Sequence, residues 1–319
     1  MILERVFHYI IQLIQSFIKR KIFMAEMTFD AAFSDLKMKV ASESAIQAIY
    51  PELVKLQDFA HTYNELDGRP GESIVIPVYD LEAAADWNEQ TNNYGSGNNE
   101  ITAANVTLDK RLIKSLSVTD RDLMATGISW TRDATTAIAK TLGRSLNGYV
   151  MGLVNSVNCP KQENFTVGTK AQPTIQKLYQ IATENGLDVG DSVVVLNPKN
   201  YTDMLGVIDY AMYGGREAVK FGYCDGLFGF LKVVCSDQLA PGVDGFIANR
   251  NSIGICSRYL EPLASAYPVA FKTVDPDSGF SIGWRLFADL NTGIRKFSGE
   301  ALVGAKVLMP NKIVRLVNG

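Results

Sequence analysis

Hydrophobic and polar positions change rhythm several times along this chain, and each rhythm predicts an element. In residues 1–23, Leu3, Val6, Phe7, Ile10, Leu13, Ile14, Phe17 and Ile18 recur at helical spacing. Glu4, Arg5, His8, Gln12, Gln15, Ser16 and Lys19 fall on the other side. That pattern predicts an amphipathic helix. From Thr28 to Asp67 the pattern is mixed. Ser44–Tyr50 reads as a short helix stopped by Pro51, which is itself suited to open a further helical turn over Glu52–Leu56. Behind a Gly68-Arg69-Pro70-Gly71 turn, Glu72–Val78 is apolar on both faces, so at least part of this strand is covered. Pro77 confines it to an edge or an irregular pairing. A polar excursion, Ala85–Glu100, is rich in Asn and Gly, and the chain returns through Asn105–Asp109 and Ser115–Val118. The expectation is a long two-stranded arm with a polar tip.

A long helix is expected next. Trp130, Ala134, Ile138, Leu142, Leu146, Val150, Leu153 and Val157 form a slowly drifting stripe, which predicts a helix from about Ser129 to Val157, about 42 Å long. Gly143, Gly148 and Gly152 lie inside it. Each costs roughly 1 kcal/mol relative to Ala, so each is expected to admit a close neighbour. After Cys159-Pro160 the grain shortens. Thr174–Glu184 is amphipathic with an Asn185-Gly186 stop. Ser192–Leu196 is a short apolar strand, and Asn197-Pro198 turns into a helix bearing Tyr201, Met204 and Leu205. Strands are expected at Phe230–Cys235 and Gly245–Ala248. Ile282, Trp284 and Leu286 alternate with Gly283, Arg285 and Phe287, and Asn291-Thr292-Gly293 turns the chain into Ile294–Ser298 as a hairpin. Ala301–Leu308 and Ile313–Val317 add one or two strands, expected to pack against the long helix.

Charge removes several function classes. Lys and Arg number 31 against 34 Asp and Glu, a net charge of −3, whereas a dedicated nucleic-acid binder carries a basic excess. The cysteines, Cys159, Cys224, Cys235 and Cys256, lack Cys-x-x-Cys spacing and read as reduced, buried thiols. The only histidines, His8 and His61, are far from any cysteine, which argues against zinc and against a histidine-based triad. Gly226-Leu227-Phe228-Gly229 enters a strand rather than a helix, so it does not make a phosphate cradle. No cofactor, metal or catalytic residue is expected, and polar residues interrupt residues 1–23 too often for a membrane span. Three readings of residues 1–23 stay open. They form a membrane-surface or partner-binding helix, or an arm that packs under a neighbour, or a segment upstream of a true start at Met24.

The order of these parts resembles the major capsid proteins of tailed double-stranded DNA phages, the Hong Kong 97-type coat protein family, across the chain after Met24. Gly71–Pro77 is similar to the strand that opens that family's extended loop. Val106–Asp109 through Val118–Asp122 resembles the return strand and its entry to the spine helix. Val193–Tyr201 looks like its strand-Pro-x-x-Tyr helix start, and Gly226–Phe230 with Val233–Ser236 resembles the next strand of its axial domain. The resemblance implies an α+β fold: an N-terminal extension (1–23), an N-terminal arm (24–70), an extended loop (71–118), a peripheral domain (119–160 and 260–319) with the spine helix, and an axial domain (161–259). It implies a structural, non-enzymatic protein that self-assembles into hexamers and pentamers, an icosahedral virion shell around double-stranded DNA held by weak non-specific contact. Such a shell is assembled in the host bacterial cytoplasm with a scaffolding protein and a portal. The loop tip, residues 81–101, contains no lysine, so no covalent cross-link through it is expected. Its contact candidates are the aromatics Trp87 and Tyr94, typical interface anchors, and the acids Asp86, Glu89 and Glu100. The alternatives are an encapsulin-like nanocompartment shell, an αβ enzyme without a recognisable motif, and a peripheral membrane protein using residues 1–23.

Overall fold

One long helix lies where the cores of two six-stranded sheets meet. The structure, a computed structural model, describes residues 43–63, 73–79, 101–119, 130–165, 174–205, 222–259, 269–275, 279–289 and 294–317. In chain order the helices are α1 (residues 43–53), α2 (Trp130–Gly152), α3 (Thr174–Glu184) and α4 (Pro198–Leu205). The strands of the first sheet are β1 (Ala60–Tyr63), β4 (Lys110–Thr119), β10 (Ile253–Arg258), β11 (Val269–Val274), β12 (Ser281–Asp289) and β13 (Ile294–Val307). Those of the second are β5 (Gln162–Asn164), β6 (Ser192–Leu196), β7 (Tyr223–Asp225), β8 (Lys232–Cys235), β9 (Gly245–Asn249) and β14 (Ile313–Val317). A separate ribbon pairs β2 (Ser73–Tyr79) with β3 (Ile101–Thr107). The result is a mixed α+β fold.

The second sheet runs β5-β14-β9-β6-β8-β7. Its central strand β6 is apolar at nearly every position because both its faces are covered, the rule for strands buried on two sides. Val194 and Leu196 face a core built with Ile175, Leu178 and Ile181 of α3 and Tyr201 and Met204 of α4. Val193 and Val195 face the other way, into the larger core that holds α2. The helices α3 and α4 beside this sheet stop and start where the sequence says. Asn197 Oδ1 accepts from the Asn200 amide at 2.8 Å, ahead of Pro198 at the first turn of α4. At the end of α3 the Gly186 and Leu187 amides donate back to Thr183 and Ala182, a Schellman closure.

The first sheet is organised on β13. Its residues 294–303 pair with β4 on one edge. On the opposite edge, residues 294–300 pair with β12 and Leu302–Val307 with β10. Paired residues share a face, so the register defines two faces of the sheet. One face is core: Gly299 stands against Ile138 and Leu142 of α2, and Trp284, Phe297 and Phe271 stack with centroids 5.4–6.4 Å apart. Trp284 Nε1 donates to Thr273 Oγ1 at 2.9 Å, which satisfies its one buried donor.

Three expectations change here. Helix α2 ends at Gly152 rather than Val157. Asn155 Oδ1 captures the amides of Val157 and Asn158 in a turn, and Val157 is 88 % exposed. Of the three helix glycines, Gly143 does admit a neighbour: a Cβ there would sit 2.7 Å from Ile49 of α1. Gly148 faces Gln238, and nothing stands within 4 Å of Gly152. Strand β14, expected beside the long helix with the C-terminal strands, instead hydrogen-bonds between β9 and β5 in the second sheet.

Candidate functional site

The arm expected from the sequence is described only at its base. Asp86, Trp87, Glu89, Tyr94 and Glu100 lie outside the described residues. At the base, β2 and β3 pair from Ser73↔Thr107 to Tyr79↔Ile101, with Pro77 opposite Ala103 in a ribbon of two edge strands. Ile74, Ile76 and Val78 are buried while Val75 is exposed, so the ribbon has one wet and one covered face. The covered face packs with Val106 and Leu108 on Cys256 and Leu302 of the first sheet and on Leu308 just past β13. The ribbon comes this close because Gly304 lacks a side chain: a Cβ there would lie 2.2 Å from the Thr107 carbonyl oxygen. Past Asp109 the chain leaves the ribbon and becomes β4, an edge of the large sheet.

The face of the first sheet that the ribbon only partly covers carries the functional candidates. Its rows follow from the strand register. Arg111, Leu302 and Arg258 lie abreast, and Ile113, Glu300, Gly283 and Lys272 form the next row. Ser115, Ser298, Arg285 and Ala270 form the third, and Ser117 with Lys296 belongs to the fourth. Glu300 is 5 % exposed, and a buried carboxylate needs partners. Arg111 Nε donates to its Oε2 at 3.1 Å, and Arg285 holds its Oε1. Arg258 Nη1 is buried with no acceptor among the described residues. Around this charged centre, Ile113 is 52 % and Val274 41 % exposed, and the Tyr259 ring covers Gly283. In these four rows five cations stand with one acid, Lys306 extends the β13 face at one end and Asp289 lies in the next row at the other.

A second buried pair has a different stoichiometry. Lys232 Nζ meets Asp58 Oδ2 at 2.6 Å and lies 5.4 Å from the Tyr223 ring centroid, tying the corner before β1 to β8. Sequence reasoning named neither cluster. The available signals were single charged residues inside apolar runs, Lys232 in Phe230–Val234 and Glu300 between Phe297 and Val303.

A groove of about 510 Å³ runs along α2 past Lys140, Arg144 and Gln238. The hydroxyls of Thr141 and Ser145 there already donate to backbone carbonyls, and Arg144 is paired with Asp237. Burial pushes the Cys159 thiol up to about 11, with the nearby Arg315 guanidinium opposing, and also raises Cys224 and Cys235. These are the wrong direction for thiolate nucleophiles. Among the described residues, no group of three His, Cys, Asp or Glu side chains is placed to hold a metal, and no helix is long and apolar enough to cross a membrane.

The likeness to known proteins is one of fold. No protein-family model matches the chain, and no curated protein matches its sequence. Among solved structures, the chain is similar to one from the capsid of an empty GTA particle, with a TM-score of 0.52 and 12 % identity over 82 % of this chain and 88 % of that one. A chain of a virus-like particle from Pyrococcus furiosus matches with a TM-score of 0.51 and 11 % identity over 86 % and 96 %. One from Mycobacterium phage Che8 matches with a TM-score of 0.50 and 14 % identity over 77 % and 84 %.

Proposed function

We propose that this chain is a structural shell protein, a major capsid protein of the Hong Kong 97 type. Its work is self-association into hexamers and pentamers that close as an icosahedral shell around double-stranded DNA, and it is not an enzyme. The observation that carries this reading is the fold shared over 82 % of the chain with a capsid protein at similar length. Assembly takes place in the host cytoplasm with a scaffolding protein and a portal, and the product is the virion capsid. Within it, residues 24–70 serve as the N-terminal arm and 71–118 as the extended loop. Residues 119–160 with 260–319 make the peripheral domain and 161–259 the axial domain, to which Ile313–Val317 lends a strand. The loop acts as a clasp on a neighbouring subunit. Trp87 and Tyr94 anchor it, because large aromatics dominate interface energetics, and Asp86, Glu89 and Glu100 supply charge.

The likeness to the Pyrococcus furiosus virus-like particle supports a second reading, a nanocompartment shell that holds protein instead of a genome. The contents of purified particles separate the two. Electron microscopy of the expressed chain, alone and with its scaffolding protein, tests both: closed shells or rings of five or six subunits are expected. A Trp87→Ser/Tyr94→Ser variant should stay folded by circular dichroism yet lose most particles. A chain that stays monomeric under both conditions defeats the shell reading, and undiminished particles from the variant defeat the anchor assignment.

A further inference from the structure

We propose that the polar recess beside the start of β1 binds a phosphate group. The recess, about 180 Å³, opens where the corner before β1 meets the turn from β9 to β10, and Gln57, Asp58, His61, Arg250 and Asn251 stand in its lining. The chain crosses here from one sheet to the other, since β9 belongs to the second and β10 to the first. Two backbone positions fix its shape. Asp58 at φ 78° and Asn251 at φ 56° both lie in the left-handed region, and the Asn251 amide donates to the Asp58 carbonyl at 3.0 Å. Glycine would hold either position at less cost, so a side chain kept there points to a use for it. Asp58 has an internal use, as the partner of Lys232. Asn251 has none: its side chain is exposed and makes no hydrogen bond among the described residues.

The charges of the recess resolve group by group. The Asp58 carboxylate is neutralised by the Lys232 ammonium at 2.6 Å. Asp191 gives its carbonyl to the Arg250 amide at 2.8 Å, while its exposed carboxylate makes no ion pair with the Arg250 guanidinium. Arg250 is therefore left exposed and without a counter-charge among the described residues. Beside it are the His61 ring, steadied edge-on by Tyr63 at 4.7 Å between centroids, and the side-chain amides of Gln57 and Asn251. A guanidinium flanked by an imidazole and two amides offers donors in several directions, which suits the several oxygens of a tetrahedral oxyanion. A metal cation would face Arg250 and Lys232 with a single carboxylate that is already paired. The volume admits a phosphate with part of its water. The same chemistry serves a free phosphate ion and a nucleic-acid phosphate, and the test separates the two.

The test uses the full chain before assembly, with its histidines labelled for NMR. His8 and His61 are the only two, so a His61→Gln chain assigns both signals. Inorganic phosphate, added at constant pH with chloride balancing the ionic strength, should move the His61 ring signal saturably and leave that of His8 in place. Arg250→Gln removes one charge-assisted contact and should weaken the response roughly tenfold. Phosphate should also raise the urea midpoint of the wild-type chain more than that of Arg250→Gln, because a ligand of the folded state stabilises it. A DNA duplex that moves the His61 signal at a lower phosphate concentration than the free ion assigns the site to nucleic acid, and a duplex without effect assigns it to the ion. A His61 signal unmoved by either ligand, or moved equally in Arg250→Gln, overturns the proposal. Equal shifts at both histidines would do so too, as an unspecific ionic effect. Urea midpoints of the two chains without phosphate, expected to agree, keep misfolding from imitating the loss. The site does not depend on the shell reading: binding by a chain that never assembles would leave it standing, and shells from a chain that ignores phosphate would sink it alone.

Discussion

The two sheets of this protein use the same number of strands for different ends. The second sheet is sealed: every position of β6 is buried, half toward α3 and α4 and half toward α2. The first sheet spends one face on a stacked aromatic core and leaves the other only partly covered by the ribbon and Tyr259, with four arginine and lysine positions around Ile113 and Glu300 in its first three rows. On that face Arg111 and Arg285 are held in ion pairs with Glu300, whereas β6 holds only apolar side chains and one serine. The difference teaches that the second sheet is held at its centre by apolar burial, whereas the first combines an apolar face with a charged one.

Truncating each face of the first sheet should break the comparison most sharply. Trp284 is fully buried, stacked on two rings and hydrogen-bonded to Thr273. Trp284→Ala should cost about 3–5 kcal/mol, read as a large drop in the urea midpoint. On the opposite face, Ile113→Ser should stay within about 0.5 kcal/mol of wild type, as surface substitutions do, while reducing assembly. If Ile113→Ser destabilises the isolated subunit as strongly as a core change, the face is covered within the subunit and is not an interface.

The buried ion pairs sharpen the same contrast at smaller magnitude. Lys232 has one carboxylate partner, Asp58, at 2.6 Å. Asp58→Asn keeps the shape and tolerates the left-handed backbone at φ 78°. It strands a buried ammonium and should cost about 3 kcal/mol. Glu300 instead serves two arginines, one of them half exposed. Glu300→Gln should cost less, about 2 kcal/mol, because water reaches Arg111. Both costs are read from urea midpoints, and a Glu300→Gln chain less stable than Asp58→Asn would mean that water does not reach the Glu300 pair.

How much of this was legible before the fold was known depends on the range of the interaction. The α3 helix, its Asn185-Gly186 stop, β6 and the β12–β13 hairpin all rest on periodicity and turn chemistry within a few residues, and they lie where the pattern put them. The end of α2 was misread because the apolar stripe continues to Val157 while Asn155 closes the turn first. Strands β4 and β14 look like continuations of their sequence neighbours. Their partners, β13 and β9, are chosen by long-range packing that no local window contains. The charged face is harder still, since Arg111, Arg258, Arg285 and Glu300 come from four strands and meet only through register. The loop-tip residues remain an expectation from composition alone.

The seam between the sheets offers the finest test of how alike their cores are. Cys159 is fully buried in the core shared by both, and its carbonyl accepts from Arg315 Nε of β14 at 2.7 Å. Burial raises its thiol from 9.0 to about 11, because the thiolate would lose its water there. The folded chain therefore holds a proton that the unfolded chain releases above pH 9. Its contribution to stability is complete below pH 9, falls as pH rises toward about 11, and levels off beyond. The loss should be of order 2 kcal/mol. A Cys159→Ala chain lacks that proton, so the gap between the urea midpoints of the two chains should narrow by that amount between pH 8.5 and 11. Parallel curves would mean that water reaches the seam, and that the sealed sheet is less sealed at its junction than within its own layers.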